Sequence, residues 1–237
     1  MSSAGLETQQ RRLIFQLGAR TDEVGSTDCQ DLGERWIEFD SEVTSKPVRL
    51  HAQWLAQPDA QAPVLLYLHA ARWDLSGSVQ RIQQLHALGF SVLGIDYRGF
   101  GRSSQELPSE RSACEDAHAA WRWLAAQHPQ AQRYVYGHSL GGAIAVQLAT
   151  QIDDASGVIV EGTFTSIPDV FGTLKWGWLP LRALITQRFD SFHWVAHVKA
   201  PLLVVHGSHD ELISPAMGRA LFERATAPKR FVLVQGG

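Results

Sequence analysis

One short stretch decides the fold of this chain, Gly-His-Ser-Leu-Gly-Gly at residues 137–142. The apolar residues 133–136 before it indicate a buried strand, and the small residues 143–149 after it indicate a helix. A Gly-x-Ser-x-Gly pattern between a strand and a helix is typical of a nucleophile elbow, a sharp turn that exposes the serine hydroxyl. The flanking glycines let strand and helix approach closely. The pattern therefore predicts Ser139 as a nucleophile and the backbone N–H of Leu140, at the helix N-terminus, as an oxyanion donor.

Apolar runs on both sides of this stretch predict a doubly wound α/β sheet. Runs without polar alternation are typical of parallel strands buried on both faces. Such runs lie at residues 64–68, 91–95, 133–136, 157–160, 202–205 and 231–234. Predicted helices between them lie at residues 78–88, 109–127, 140–150 and 215–225. This alternation predicts a mostly parallel central sheet with helices on both faces and an active site beyond the carboxyl ends of the strands.

The N-terminal part predicts an antiparallel hairpin at the edge of this sheet. Residues 48–55 alternate between apolar and polar side chains, which is the period of a half-buried strand. Residues 35–39 are the predicted partner strand, and residues 45–47 form the turn between them. We expect a single domain over residues 1–237, with a poorly ordered N-terminal segment at residues 1–30.

Composition excludes several classes of protein. The chain has 237 residues, of which 45% are hydrophobic, and a net charge of -3, which suits a globular domain and gives no electrostatic case for nucleic acid. Its two cysteines do not make a disulfide scaffold, and no apolar run reaches the length of a membrane span. We therefore expect a cytoplasmic protein without a nucleic-acid partner. The oligomeric state stays open.

A long segment rich in aromatic residues, residues 163–198, interrupts the alternation of strands and helices. It is longer than an ordinary crossover, and long insertions in compact domains are usually functional. We interpret it as a cap over the site, with Trp176 and Trp178 lining an apolar substrate pocket. An ordinary crossover helix with aromatic core residues is the alternative interpretation.

Asp210 is the candidate acid of a catalytic triad. It follows the predicted strand at residues 202–205, where the acid that orients a histidine belongs. A structural turn aspartate is the alternative for this residue, and Glu161 is a weaker candidate for the acid. The spacing of His206, His209 and Asp210 matches no metal-ligand pattern, so neither a metal nor a cofactor is expected.

The loop after the first parallel strand is the candidate source of a second oxyanion donor. It begins with Leu-His-Ala-Ala-Arg at residues 68–72, and a loop at this position commonly supplies a backbone N–H. Ala71 is the first choice for the donor and Ala70 the second. We expect His69 to be a structural hydrogen-bonding residue. Trp73 either lines the substrate pocket or packs under the loop.

Together these motifs resemble the α/β-hydrolase superfamily, and more narrowly its serine-aminopeptidase-like group of acyl hydrolases. The matching stretches are residues 68–71, 96–103, 137–142, 161–166 and 206–210. The resemblance extends from about residue 36 to the end of the chain. It implies Ser139 as the nucleophile, Asp210 as the acid, and backbone donors from Leu140 and from the loop after His69.

Two positions depart from the family pattern. Ala70 stands where the family usually has glycine, and its methyl group either crowds or stiffens the oxyanion loop. The family's catalytic histidine follows the last core strand, here residues 231–234, but only Gln235, Gly236 and Gly237 follow that strand here. The resemblance therefore implies a C-terminally truncated hydrolase that lacks the base histidine and the final helix over the sheet.

The function expected from these observations is that of a serine hydrolase. It cleaves carboxylic esters or thioesters of small acyl compounds with apolar acyl groups, through an acyl-enzyme on Ser139. An amidase or aminopeptidase-like hydrolase would use the same residues. A hydrolase-like scaffold that binds a ligand without turnover is the alternative outside the enzymes, and the missing histidine is its main support.

Overall fold

The computed structural model describes residues 3–15, 32–173 and 184–236. Its strands are β1 (Gly33–Asp40), β2 (Pro47–Leu55), β3 (Val64–Leu68), β4 (Ser91–Ile95), β5 (Arg133–His138), β6 (Gly157–Glu161), β7 (Leu202–Gly207) and β8 (Lys229–Val234). Its α-helices are α1 (Ser3–Phe15), α2 (Val79–Ala87), α3 (Glu110–Gln127), α4 (Leu140–Ala149), α5 (Ile167–Thr173), α6 (Ser191–Trp194) and α7 (Pro215–Arg224).

The strands form one sheet in the order β1-β2-β4-β3-β5-β6-β7-β8. The pairs from β4 through β3 to β8 are parallel, whereas β1 pairs with β2 and β2 with β4 in antiparallel fashion. The predicted sheet with its antiparallel N-terminal hairpin at the edge is thereby confirmed.

Helices cover both faces of the sheet, which explains the continuous apolar runs of the central strands. Successive side chains of a strand point to opposite faces. In β3, Leu65 and Tyr67 pack with residues of α2, whereas Leu66 and Leu68 belong to the cluster that contains α3, α4 and α7. Because water reaches neither face, no position of this strand has to be polar.

Residues 3–15 of the segment that we expect to be poorly ordered, residues 1–30, form the helix α1. Phe15 is fully buried, and its ring makes edge contacts with Phe100 and Phe189 at centroid distances of 6.3 and 5.9 Å. The Arg11 side chain donates a hydrogen bond of 2.8 Å to the carbonyl of Pro108. The mostly polar sequence of α1 does not indicate these contacts, because the buried residues of the helix lie at its C-terminal end. Residues 16–31 lie outside the described ranges.

Strand β8 is less buried than its apolar sequence predicts. The predicted run forms a strand, but Leu233 and Val234 are exposed. β8 is the edge strand of the described sheet and pairs with β7 along one side. The run of apolar residues therefore predicted the position of the strand.

The aromatic insertion is described at residues 163–173 and 184–198. Phe164, Ile167, Phe189 and Val195 are buried in the same cluster as α3 and α4. Trp176 and Trp178 lie outside the described residues. The cap interpretation therefore stays a prediction.

No helix in the described ranges combines the length and the apolar character that a membrane span requires.

A buried arginine ties the loop after β4 to the neighbouring elements. Arg98 is fully buried, and its Nε and Nη2 donate hydrogen bonds of 2.9 and 2.6 Å to Asp116 of α3. Nη2 also donates to Glu115, and Nη1 donates to Ser41 in the turn between β1 and β2. Burial raises the pKa of Asp116 to about 6, although its bonds to Arg98 act in the opposite direction. Removing one partner of such a pair leaves a buried charge without compensation.

We expect Arg98→Met to lower the free energy of unfolding by about 3–5 kcal/mol, because Asp116 would remain buried without its cation. Urea denaturation measures the change. The matched control is Arg102→Met, since Arg102 forms an ion pair with Glu34 but is exposed. That substitution should cost less than about 1 kcal/mol. Equal losses in the two variants would show that the Arg98 network does not stabilise the fold in this way.

Candidate active site

Ser139 occupies the turn between β5 and α4 in a strained backbone conformation. Its φ of 54° and ψ of -116° are rare for a residue with a side chain, and such strain persists only where the surroundings enforce it. Here the Ser139 N–H donates a 2.9 Å hydrogen bond to the Glu161 carbonyl. The Thr163 hydroxyl donates another of 2.9 Å to the Ser139 carbonyl. Glu161 at the end of β6 and Thr163 just after this strand therefore hold the turn from one side.

The glycines of the turn allow backbone to lie against backbone. A Cβ on Gly137 would lie 2.2 Å from the Gly141 carbonyl oxygen, and one on Gly141 would lie 2.1 Å from the Leu68 carbonyl oxygen. A Cβ on Gly142 would lie 2.6 Å from the Cβ of Thr163. Any side chain at these three positions would push α4 away from the sheet. The predicted close approach of strand and helix is thus present.

The side chain of Ser139 and two backbone donors near it have no partner within the described residues. The Ser139 hydroxyl makes no hydrogen bond there, and its oxygen is not among the buried unpartnered atoms, so solvent reaches it. In the same part of the chain, the N–H groups of Leu140 and Ala71 donate no backbone hydrogen bond. The Ser139 hydroxyl is therefore partly accessible, and the unpaired N–H groups lie at the start of α4 and in the loop after β3.

Asp210 lies in the loop after β7 and is fixed on one side only. Its Oδ1 accepts hydrogen bonds of 3.0 and 2.9 Å from the N–H groups of Leu212 and Ile213. Its Oδ2 lies 3.4 Å from Nε2 of His206, a fully buried ring whose Nε2 donates to the Ile213 carbonyl at 2.8 Å. The carboxylate is 26% exposed. One oxygen therefore anchors the loop while the other stays accessible to a further donor.

Asp210 and His138 both lie close to Gly162, which follows the end of β6. Its φ of 55° lies in the left-handed region, where glycine is favoured. A Cβ at this position would lie 3.7 Å from Asp210 Oδ2 and 3.9 Å from His138 Nε2. Because the Ser139 N–H bonds to Glu161, the residue before Gly162, the serine and the carboxylate flank the same strand end.

A charged cluster next to the serine escaped the sequence analysis. Arg81 of α2 donates to the carboxylate of Glu161 and, at 2.9 Å, to the hydroxyl of Tyr136. Glu161, the alternative candidate for the acid, is thus paired with an arginine. The only available sequence signal was the presence of opposite charges in a predicted first helical turn and at a predicted strand end. The sequence does not indicate which helix packs over which strand.

His138, between this cluster and Ser139, is held in its neutral form. Burial, reinforced by the nearby Arg81 guanidinium, lowers the pKa of His138 to about 4, and the Asp210 carboxylate offsets only part of this effect. A histidine with such a pKa is a poor proton acceptor at neutral pH.

The remaining predicted site residues lie around the loop after β3. His69 is fully buried, and its Nδ1 donates a hydrogen bond of 2.7 Å to the Ala70 carbonyl, as expected for a structural residue. Burial also lowers the pKa of its ring. Trp73 is 42% exposed and packs against Gly77, which leaves both interpretations of this residue open. Within the described ranges, no group of three metal-ligating side chains comes together.

Comparison with known proteins defines the family. Residues 60–191, more than half of the chain, match the family model described as "Serine aminopeptidase, S33". The fold is that of the esterase Pf2001 from Pyrococcus furiosus, with a TM-score of 0.71 at 18% identity over 92% of this chain and 88% of that one. The chain therefore belongs to this family of hydrolases in the α/β-hydrolase superfamily.

Two curated relatives show how much of a longer protein the match covers. An uncharacterized protein of Mycobacterium tuberculosis strain H37Rv is 38% identical over 176 residues, which are 73% of this chain and 62% of that protein. The lysophosphatidylserine lipase ABHD12 of Danio rerio is 30% identical over 197 residues, which are 75% of this chain and 51% of that protein. The chain thus spans about half to two thirds of the length of these relatives.

The neutral state of His138 predicts a pH dependence of stability. Its pKa is about 4 in the folded protein and 6.5 in an ordinary environment. Between these values the unfolded chain binds a proton that the folded protein does not, so stability is full above about pH 6.5 and falls as the pH decreases towards 4. The expected loss is on the order of 3 kcal/mol.

Urea denaturation of the original protein and of His138→Gln between pH 7.5 and pH 4.5 tests this prediction. The stability difference between the two proteins should shift in favour of the variant as the pH decreases, because glutamine does not titrate. A difference that is constant over this range would contradict it.

Proposed function

We propose that this protein is a serine hydrolase that cleaves carboxylic esters or thioesters of apolar acyl groups. Ser139 attacks the carbonyl carbon, and the N–H groups of Leu140 and Ala71 stabilise the oxyanion. The alcohol or thiol leaves, and water then releases the acyl group from Ser139. The accessible and unbonded hydroxyl of Ser139 at the strained turn is the observation that supports this proposal most directly.

This mechanism needs a base that accepts the proton of the Ser139 hydroxyl, and the family resemblance implies a histidine after the last core strand for that role. The geometry after β8 supports this assignment. The Ser208 N–H donates to the Val234 carbonyl at 2.8 Å, and the Gly236 N–H donates to the Ser208 hydroxyl at 3.1 Å. The chain after β8 therefore runs along the loop of Asp210. A histidine held against this loop would donate to Oδ2 of Asp210, which would hold its tautomer.

The acyl group is expected on the side of the aromatic insertion, where Trp176 and Trp178 remain predicted pocket residues. An ester as substrate is supported by the similarity to the lysophosphatidylserine lipase of Danio rerio and to the esterase of Pyrococcus furiosus. The description of the family as a serine aminopeptidase favours an amide as the second candidate. Assays of an ester and an amide with the same acyl group separate the two.

Reaction with a fluorophosphonate probe tests the nucleophile. We expect one label per chain, located at Ser139 by peptide mass spectrometry and absent from Ser139→Ala. The reaction is slow without a base, so labelling is followed over hours and compared with the denatured protein. Labelling distributed over several serines, or none above that of the denatured protein, would favour the non-catalytic scaffold.

Asp210→Asn tests the acid in a form of the protein that carries the expected histidine. Asparagine keeps the oxygen that accepts from Leu212 and Ile213, so the loop and the fold should survive. Turnover should decrease by about 10⁴, because the neutral amide no longer selects the useful tautomer. Unchanged turnover in Asp210→Asn, together with a comparable decrease in Glu161→Gln, would assign the acid to Glu161.

A further inference from the structure

The charged cluster beside Ser139 has a fixed arginine at its centre. Nη1 of Arg81 donates to the Tyr136 hydroxyl and to Oε2 of Glu161. The cluster therefore joins the first turn of α2 to the ends of β5 and β6. Both charged side chains remain accessible, with 32% of Arg81 and 28% of Glu161 exposed.

One edge of the Arg81 guanidinium is unused. Guanidinium has five N–H donors, and here only Nη1 has partners in the described part of the chain. Nε and Nη2 are not among the buried unpartnered atoms, so solvent reaches them. Two parallel donors on one planar edge match the oxygens of a carboxylate or a phosphate. Because the other edge is already held, little side-chain freedom is lost when an anion binds.

This free edge lies close to the reaction centre. His138 and Glu161 are paired neighbours in the register of β5 and β6, and His138 directly precedes Ser139. The positive charge of Arg81 reaches His138, whose proton affinity it reduces. Arg81 is therefore paired with the strand neighbour of the residue that precedes Ser139.

The cluster and the buried residues described in the aromatic insertion lie on opposite faces of the sheet. Tyr136 packs in the cluster that contains α2, whereas Phe164, Ile167 and Phe189 pack in the cluster that contains α3 and α4. An ester that places its acyl chain on the apolar side would therefore direct its alcohol part towards Arg81.

We propose that Arg81 forms an anion subsite that binds a carboxylate or phosphate group on the alcohol part of the ester. The subsite rests on the proposed function, since Ser139 defines where the ester lies. Glu161 positions the guanidinium and also weakens anion binding through its own negative charge. Tyr136 is a second positioning residue, because its hydroxyl fixes Nη1 from the strand below.

The competing explanation is that Arg81 and Glu161 form a purely structural ion pair between α2 and β6. The structural pair and the anion subsite predict opposite effects of Glu161→Gln on anion binding. If the pair only joins the two elements, loss of either charge weakens the protein and affects all substrates alike. If Arg81 binds an anion, Arg81→Gln weakens binding of anionic ligands, and Glu161→Gln strengthens it by removing the competing carboxylate.

Equilibrium binding to Ser139→Ala tests the subsite without turnover. The probes are 1-octanoylglycerol 3-phosphate, the octanoyl ester of glycolate and neutral 1-octanoylglycerol, below their micelle concentrations. We expect Arg81→Gln to weaken binding of an anionic probe roughly ten- to hundredfold and to leave the neutral probe within about twofold. Arg122→Gln is the matched control, since Arg122 is an exposed arginine of α3, and it should bind all three probes as before.

Each outcome of these binding measurements either supports or overturns the subsite. An effect on the phosphate probe alone, on the glycolate probe alone, or on both supports the subsite and identifies the anion. Equal changes for all three probes in Arg81→Gln, or weaker anion binding in Glu161→Gln, overturn it. If Arg81→Gln fails to fold, Arg81→Lys replaces it, because lysine keeps the charge and loses the planar edge. Selective anion binding without any labelling of Ser139 would reject the proposed function and retain the subsite.

Discussion

The contact between the first turn of α4 and the end of β3 is the constraint on which the rest of the site depends. No side chain fits at Gly141, because a Cβ there would lie 2.1 Å from the Leu68 carbonyl oxygen. This contact places the start of α4 directly against the point where the loop after β3 begins. The bonds of Ser139 to Glu161 and Thr163 hold the other side of the turn, whose positive φ costs on the order of 1–3 kcal/mol. The close packing of helix and sheet and the strained serine turn therefore occur at the same point of the fold.

The sequence predicted the central strands well because their burial leaves a simple pattern. β3 and β4 begin and end where their apolar runs do, since water reaches neither of their faces. β5 and β7 continue two residues beyond the predicted runs, through His138 and Gly207. Hydrogen bonding to the neighbouring strand, rather than hydrophobicity, decides where these strands end. The motif itself predicted the serine turn, since only a few residue types tolerate its geometry.

Features that depend on distant residues were not predictable in this way. The anchor of α1 needs Phe100 and Phe189, which lie far away in the chain, so its polar composition alone indicated disorder. The pairing of Arg81 with Glu161 depends on the position of α2 over β6. The local sequence pattern of a helix or strand does not determine how two such elements pack.

The register of the sheet explains why charge collects on one side of the serine. Side chains alternate along β5, so Tyr136 and His138 point to the face that α2 covers, and Glu161 of β6 is the neighbour of His138. The side chain of the residue before Ser139 therefore faces α2, whatever its type. Burial under that helix makes a charge on His138 costly, whereas Arg81 and Glu161 pair with each other where both are partly exposed. Since Phe164, Ile167 and Phe189 of the insertion pack on the opposite face, the sheet separates the charged cluster from these apolar side chains.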